Sequence, residues 1–158
     1  MTPAINAARK AKIAHAIHEY RHDPAAASYG LEAAEKLGVP AELVFKTLVV
    51  CLDDRELAVA VVPVSAMLNM KLFARAAGAK KCAMAAAPDV ERATGYVLGG
   101  VSPLGQKKRL RTIIDSSAAQ LAAMHVSAGR RGLEIELKPA DLRQLTGARF
   151  EAICQPGQ

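Results

Sequence analysis

Residues 94–108 read TGYVLGGVSPLGQKK, a stretch in which a glycine pair, a Ser-Pro and a further glycine interrupt apolar residues. Gly99, Gly100 and Gly105 permit backbone angles that other residues avoid, and their lack of a side chain lets a ligand approach main-chain N–H groups. The stretch therefore predicts either a loop that holds an anion or a carbonyl oxygen, or a plain turn between two strands.

Positive charge is concentrated around this loop. The chain has a net charge of +6, and residues 75–111 hold 8 Lys and Arg against 2 Asp and Glu, which accounts for the whole excess. Such a patch favours a polyanion, although a merely solvated basic face has the same composition. Aromatic residues are only 4% of the chain and Trp is absent, which argues against extended stacking of bases.

Length and cysteine usage limit the class of protein. The 158 residues fit one domain, predicted to span 1–154 with a short tail at 155–158, and the 51% of hydrophobic residues suffices for a core. The three cysteines are far apart and form no C-x-x-C pair, so we expect neither disulfides nor a structural zinc site. Without an evident signal peptide or membrane-spanning run, we expect a cytoplasmic protein that does not contact membranes.

Hydrophobic periodicity predicts an α+β domain. Helices are predicted at residues 3–12, 28–37, 69–77, 88–92 and 139–145. Strands are predicted at 13–20, 45–52, 56–63, 82–85, 112–115, 125–127, 132–137 and 149–154, with a helical turn at 117–122. Because the pattern lacks regular βαβ repetition, we expect a mixed sheet.

The segment from His18 to His22 matches H-E-x-x-H, the zinc motif of metalloproteases. The motif requires a helix, where residues four apart share a face. On the predicted strand the two histidines would lie about 13 Å apart, too far to bind one ion at ~2 Å. We therefore expect no metal here.

No ordinary catalytic nucleophile is evident in the chain. It has no G-x-S-x-G motif, its cysteines lie in apolar surroundings, and His125 has the small or apolar neighbours of a packed core histidine. Glu134 and Glu136 share one face of a predicted strand, which is usually the solvated face. Lys46 ends an otherwise apolar stripe, so it either extends to water or points into a polar site.

Several segments together resemble the YbaK family of bacterial editing proteins. They are the glycine stretch continued to KKRL at residue 110, FKTL at 45–48, TPA at 2–4, HDP at 22–24 and GRRGLEIEL at 129–137. The resemblance runs from residue 2 to about 153. Members of this family hydrolyse mischarged Cys-tRNA(Pro) and are similar to the editing domain inserted in bacterial prolyl-tRNA synthetases.

The resemblance implies a single α+β domain with a mixed, strongly curved β-sheet flanked by helices. It implies an aminoacyl-tRNA deacylase that uses no metal or organic cofactor and accepts the charged 3′ end of tRNA, without DNA or membrane contacts. Because so small a domain has no evident anticodon-reading element, a synthetase partner is expected, with prolyl-tRNA synthetase as the candidate. In this family the thiol of the cysteine substrate attacks the ester and forms a cyclic thiolactone. The missing protein nucleophile agrees with that chemistry.

The family's functional positions can be carried over to this chain. Lys46 in FKTL matches the essential lysine. Glu134 is also matched to substrate binding, at a position where the family commonly has Asp, and would extend toward the substrate amine. The positions matched to substrate binding are Tyr20, Tyr29, Gly99, Gly100, Val101, Ser102 and Pro103. In the glycine loop, the backbone N–H groups from Gly99 to Ser102 are expected to hold the ester carbonyl oxygen. Charge location adds five predicted acceptor-stem contacts, which are Lys80, Lys81, Lys107, Lys108 and Arg109.

Two alternatives remain open. One is a related deacylase that acts on Ala-tRNA(Pro) or another small aminoacyl ester, because one methylene or hydroxyl changes binding in a pocket by only ~1 to 3 kcal/mol. The other is a non-catalytic module that binds tRNA or a synthetase through the loop and the basic patch, with salt-sensitive affinity.

Overall fold

The computed structural model describes residues 1–26 and 28–155, so that positions 156–158 of the predicted tail lie outside the described residues. Its helices are α1 (Pro3–Ala11), α2 (Tyr29–Leu37), α3 (Met70–Ala77), α4 (Ala87–Thr94) and α5 (Pro139–Thr146). Together with eight strands they confirm the predicted α+β class.

Sequence signals at the helix ends explain these bounds. The side chains of Thr2, Ser28 and Asn69 each accept a hydrogen bond from a backbone N–H in the first turn of α1, α2 and α3. Gly38 and Gly78 end α2 and α3 in the left-handed conformation.

The larger sheet contains five strands in the order β4, β2, β3, β5, β8. Their bounds are β2 (Phe45–Leu52), β3 (Glu56–Pro63), β4 (Cys82–Met84), β5 (Arg111–Asp115) and β8 (Arg149–Glu151). The β2–β3 hairpin connects the two predicted strands through a turn at Asp53 and Asp54, both of which have positive φ. β5 lies parallel to both β3 and β8, which makes the sheet mixed as predicted.

The smaller sheet contains three antiparallel strands in the order β1, β7, β6. They are β1 (His15–Glu19), β6 (Met124–Arg130) and β7 (Leu133–Leu137). Val49, Val61, Val126 and Ile135 pack in one core shared by the two sheets. The strands thus form two sheets instead of one curved sheet. Within the described residues, backbone pairing between the sheets is limited to an isolated bridge between Val44, which precedes β2, and His125.

The opposite face of the larger sheet is covered by α3, whose Phe73 packs with Val50, Ala60 and Val62. β2 and β3 are therefore buried on both faces, which explains their nearly continuous apolar sequences. The segment predicted as strand 149–154 stops at Glu151, with an isolated bridge between Leu68 and Cys154. Residues 116–120 form the predicted helical turn as a 3-10 helix.

The first turn of α1 touches two other parts of the fold. The Thr2 hydroxyl donates a hydrogen bond to the carbonyl oxygen of Ala128 on β6. A Cβ placed on Gly105 would lie 2.5 Å from the backbone of Pro3, so only glycine fits there. This turn therefore holds the end of the glycine loop and β6 in fixed positions. None of the helices in the described part of the chain is long and apolar enough to span a bilayer.

Candidate active site

A cavity of about 240 Å³ lies beside the first half of β2. β4 pairs only with Val50, Cys51 and Leu52, so residues 45–48 have no strand on that side within the described segments. The cavity is closed by the start of α2, the glycine loop and one face of the small sheet. Six of the predicted site residues line it, namely Tyr20, Tyr29, Lys46, Gly99, Val101 and Glu134.

Lys46 supplies a cation to this cavity. Its side chain is half-buried, and it follows Phe45 at the start of β2 opposite Val62 of β3. No ion pair of Lys46 exists within residues 1–26 and 28–155. Its ammonium group is therefore available to a negative charge that a substrate brings or develops.

Glu134 lines the same cavity from β7, and it is only 7% exposed. Its place beside Glu136 on one strand face suggests a solvated position, but Glu134 is buried and lines the cavity, where the resemblance matches it to substrate binding. Burial raises the pKa of its carboxyl from the ordinary value of 4.5 to about 8. Near pH 7 the group is mostly neutral, so it meets a substrate as a hydrogen-bond donor and acceptor rather than as an anion.

The buried Glu134 predicts a specific pH dependence of stability. Between pH 4.5 and 8 this carboxyl binds a proton in the folded protein that it releases in the unfolded chain, so its contribution to the free energy of unfolding should fall as pH rises, by about 1.4 kcal/mol per pH unit. Glu134→Gln should remove this slope, whereas exposed Glu91→Gln should keep it. Urea unfolding at several pH values measures the difference, and equal slopes in the two variants would refute the assignment.

Tyr20 and Tyr29 form the aromatic side of the cavity. Burial raises the pKa of Tyr20, and the nearby Glu134 and Glu32 raise it further, so that its hydroxyl remains a proton donor. The Tyr29 ring is covered by the guanidinium of Arg131, 3.7 Å from the ring centroid. Gly99, with φ +92°, contacts the same ring, since a Cβ there would lie 2.6 Å from its Cε2 atom.

Arg131 and Glu32 are site residues that the sequence analysis did not identify. Arg131 lines the cavity, and its Nε atom lies 3.8 Å from Oε1 of Glu32. Glu32 is 6% exposed and accepts a hydrogen bond of 2.6 Å from the N–H of Asp23. The pair thus connects the HDP segment to the cavity. Arg131 lies in GRRGLEIEL, one of the segments that carry the family resemblance. The sequence did not show that its side chain points toward the cavity.

The rest of the predicted substrate loop faces elsewhere. The N–H of Gly100 donates to the carbonyl of Val97, so it is not free to hold a substrate oxygen, and a Cβ on Gly100 would lie 2.8 Å from the Cα of Arg130. Ser102 is fully buried, and its hydroxyl accepts from the N–H of Leu104. Pro103 lines a second cavity.

The predicted tRNA-contacting cations lie outside the first cavity. Lys81 pairs with Asp54 at 2.6 Å, and Lys80 precedes it, both at the Leu52 end of β2. Six strand residues, or about 20 Å, separate that end from Lys46. Lys107 is exposed, and Lys108 and Arg109 line the second cavity, of about 210 Å³, together with Pro103.

The structure places the cysteine and histidine side chains that were not predicted to be catalytic in the surroundings expected for them. Burial raises the pKa of Cys154 to about 12, with a further increase from Asp115, so this thiol stays protonated. His125 is 5% exposed, as predicted for a packed histidine. The two histidines of the H-E-x-x-H motif separate, because His18 lies on β1 while His22 follows the strand and contacts Glu32.

A different set of residues could hold a metal ion. His18, His125 and Glu136 each offer one ligand atom, and these three atoms lie within 4.8 Å of one another. Nε2 of His18 is 2.8 Å from Oε1 of Glu136. Burial lowers the pKa of His125, which keeps its imidazole neutral.

Comparisons with known proteins identify the family of this chain. Residues 23–145 match the model of the family described as aminoacyl-tRNA editing domain. One relative is "Putative Cys-tRNA(Pro)/Cys-tRNA(Cys) deacylase EbsC" of Enterococcus faecalis (strain ATCC 700802 / V583), which is 42% identical to this chain over 120 residues. The aligned residues cover 76% of this chain and 73% of the relative.

Two solved structures share the fold. The hypothetical protein APE2540 has a TM-score of 0.86 at 23% identity, with 98% of this chain and 100% of the other covered. A structure described as a "putative trans-editing enzyme for prolyl tRNA synthetase" has a TM-score of 0.82 at 21% identity, with 98% and 99% covered.

Proposed function

The chain belongs to the aminoacyl-tRNA editing domain family and is an aminoacyl-tRNA deacylase, and from this premise we propose that its cavity cleaves mischarged Cys-tRNA(Pro). The single observation that carries the proposal is the convergence of Lys46, Glu134 and Tyr20 on one small cavity beside the open edge of β2. Its volume of about 240 Å³ is below the ~300 to 1,000 Å³ of ordinary ligand pockets, which suits a small aminoacyl group.

Each of these residues has a proposed role that follows from its protonation state. Lys46 places a positive charge where a negative charge develops on the ester carbonyl oxygen or where the terminal phosphate lies. Neutral Glu134 and the Tyr20 hydroxyl position the aminoacyl group through hydrogen bonds. The Tyr29 ring, held under Arg131, forms an apolar wall against which the terminal nucleoside can pack.

The substrate itself supplies the nucleophile in this proposal. The cysteine sulfur attacks the ester carbonyl carbon, the bond from that carbon to the ribose oxygen breaks, and the thiol proton ends on the ribose oxygen. The products are tRNA with a free 3′ end and a cyclic thiolactone, which water then opens to cysteine. The protein has only to position the groups and stabilise charge, which matches a site built from Lys46, Glu134 and Tyr20.

Esters that differ at one atom test this chemistry. We expect the purified protein to release labelled cysteine from Cys-tRNA(Pro) at least 100-fold faster than serine or alanine from the matching tRNA, since those side chains lack a thiol. Release of alanine at a comparable rate would instead identify a deacylase for small esters in general. Salt-sensitive tRNA binding without any ester cleavage would indicate a binding module.

The tRNA body extends beyond the cavity, and we infer that prolyl-tRNA synthetase helps to select the tRNA. The cavity takes only the charged 3′ end, so it does not distinguish tRNA(Pro) from tRNA(Cys). Adding the synthetase to the release assay should favour Cys-tRNA(Pro) over Cys-tRNA(Cys). An unchanged ratio of the two rates would contradict the partnership.

A further inference from the structure

Three strands bring metal-binding side chains to one face of the small sheet. His125 of β6 lies opposite Glu136 of β7, and His18 of β1 lies opposite Glu134, which comes two residues before Glu136 on β7. Residues two apart on a strand point to the same side, so His18, His125 and Glu136 share a face. This is also the face on which Glu134 lines the active-site cavity.

The types and spacing of these ligands suit zinc. Two imidazoles and one carboxylate are a ligand set that Zn²⁺ takes, with a fourth position left to water or another ligand. Ligand atoms ~2 Å from zinc lie ~3.3 Å apart in a tetrahedron. The three atoms here have one separation of 2.8 Å and none above 4.8 Å, so small side-chain movements would complete the geometry.

His125 provides an independent sign of a missing ligand. Its Nδ1 atom is buried and has no hydrogen-bond partner in the part of the chain that the structure describes. Buried polar atoms almost always have such a partner, so this one needs an explanation. The side chains of His18 and Glu136 are about a third exposed, at 35% and 36%, which leaves the cluster accessible from solvent.

We propose that His18, His125 and Glu136 bind one divalent transition-metal ion of the zinc class. The proposal departs from the sequence-based expectation of no metal, because these ligands come from three strands that are distant in sequence. The ion would connect β1, β6 and β7 and thereby stabilise the sheet that carries Glu134. It is distinct from the deacylation chemistry, to which Lys46 contributes from another sheet.

Metal binding can be measured without the deacylase assay. Zn²⁺ is titrated into the metal-free protein under reducing conditions, in competition with a chromophoric chelator, and Co²⁺ absorption reports the coordination geometry. We expect one Zn²⁺ per chain and a dissociation constant in the micromolar range or below, with a rise in melting temperature on binding. Failure of the wild-type protein to bind Zn²⁺ at these concentrations would overturn the proposal.

A matched pair of histidine variants localises the ion. His125→Gln should weaken Zn²⁺ binding at least tenfold, and His18→Gln provides the same test at a more exposed position if the first variant fails to fold. His15→Gln is the control. His15 lies on β1 with His18, but its ring contacts the carbonyl of Ile13 instead of the cluster. Equal Zn²⁺ affinity in all folded variants would show that the cluster is not the site.

Discussion

Replacing Lys46 by alanine should lower the rate of cysteine release about 100- to 1,000-fold, the usual cost of removing one group that stabilises transition-state charge. Fold and stability should change little, because this half-buried ammonium makes no ion pair within residues 1–26 and 28–155. Single-turnover release from Cys-tRNA(Pro), together with thermal unfolding, measures both quantities.

Two further lysine variants make this result specific. Lys71→Ala removes an exposed lysine from α3 and should leave the rate unchanged. Lys46→Arg keeps the charge but changes the shape of the donor, so partial activity would indicate a mainly electrostatic role and complete loss would indicate strict positioning. If Lys46→Ala cleaves the ester as fast as the wild-type protein, the proposed role of Lys46 is wrong.

Substituting Gly99 by alanine should have the second large effect, a decrease in kcat/KM of about 100-fold. The added Cβ would lie 2.6 Å from the Tyr29 ring, so the ring and the Arg131 guanidinium stacked on it must move. A displacement of about 1 Å within a positioning surface can cost this much. Steady-state kinetics of ester cleavage provide the measurement.

Gly38 provides a control for the backbone strain in that experiment. It also has a positive φ, +68°, but a Cβ there would meet no atom within 4 Å. Gly38→Ala should therefore cost about 1 kcal/mol of stability from the left-handed conformation and leave the kinetics unchanged. Similar losses of kcat/KM in both variants would mean that strain, rather than crowding of Tyr29, explains the Gly99→Ala result.

Local sequence patterns were sufficient to predict most of the fold. The helices predicted at 28–37 and 69–77 depend on short-range signals, and the structure has them at Tyr29–Leu37 and Met70–Ala77. The division into two sheets could not be predicted, because it depends on how β6 meets the residue before β2 at the Val44–His125 bridge. Hydrophobic periodicity shows which face of a strand is buried but not which sheet covers it.

The family resemblance indicated which residues belong to the candidate site, but the sequence did not show where each side chain or backbone N–H group points. Lys46 and Glu134 reach one cavity, whereas Gly100 uses its N–H within the loop and packs against Arg130. The alternation of β7 placed Glu134 on the polar face, but there it lines a cavity together with residues of α2 and the glycine loop. The alternation within one strand does not show which distant segments of the chain pack over its polar face.

The first turn of α1 has a consequence for any attempt to shorten this protein. Residues 23–145, the segment that matches the family model, contain Lys46, Glu134 and the glycine loop. They do not contain Thr2 and Pro3, which contact Ala128 and Gly105, nor β1, which pairs with β7. A truncated chain with these limits would keep nearly all the predicted catalytic groups and lose the contacts that fix their spacing. We therefore expect a shortened chain to need α1 and β1 for these groups to keep their positions.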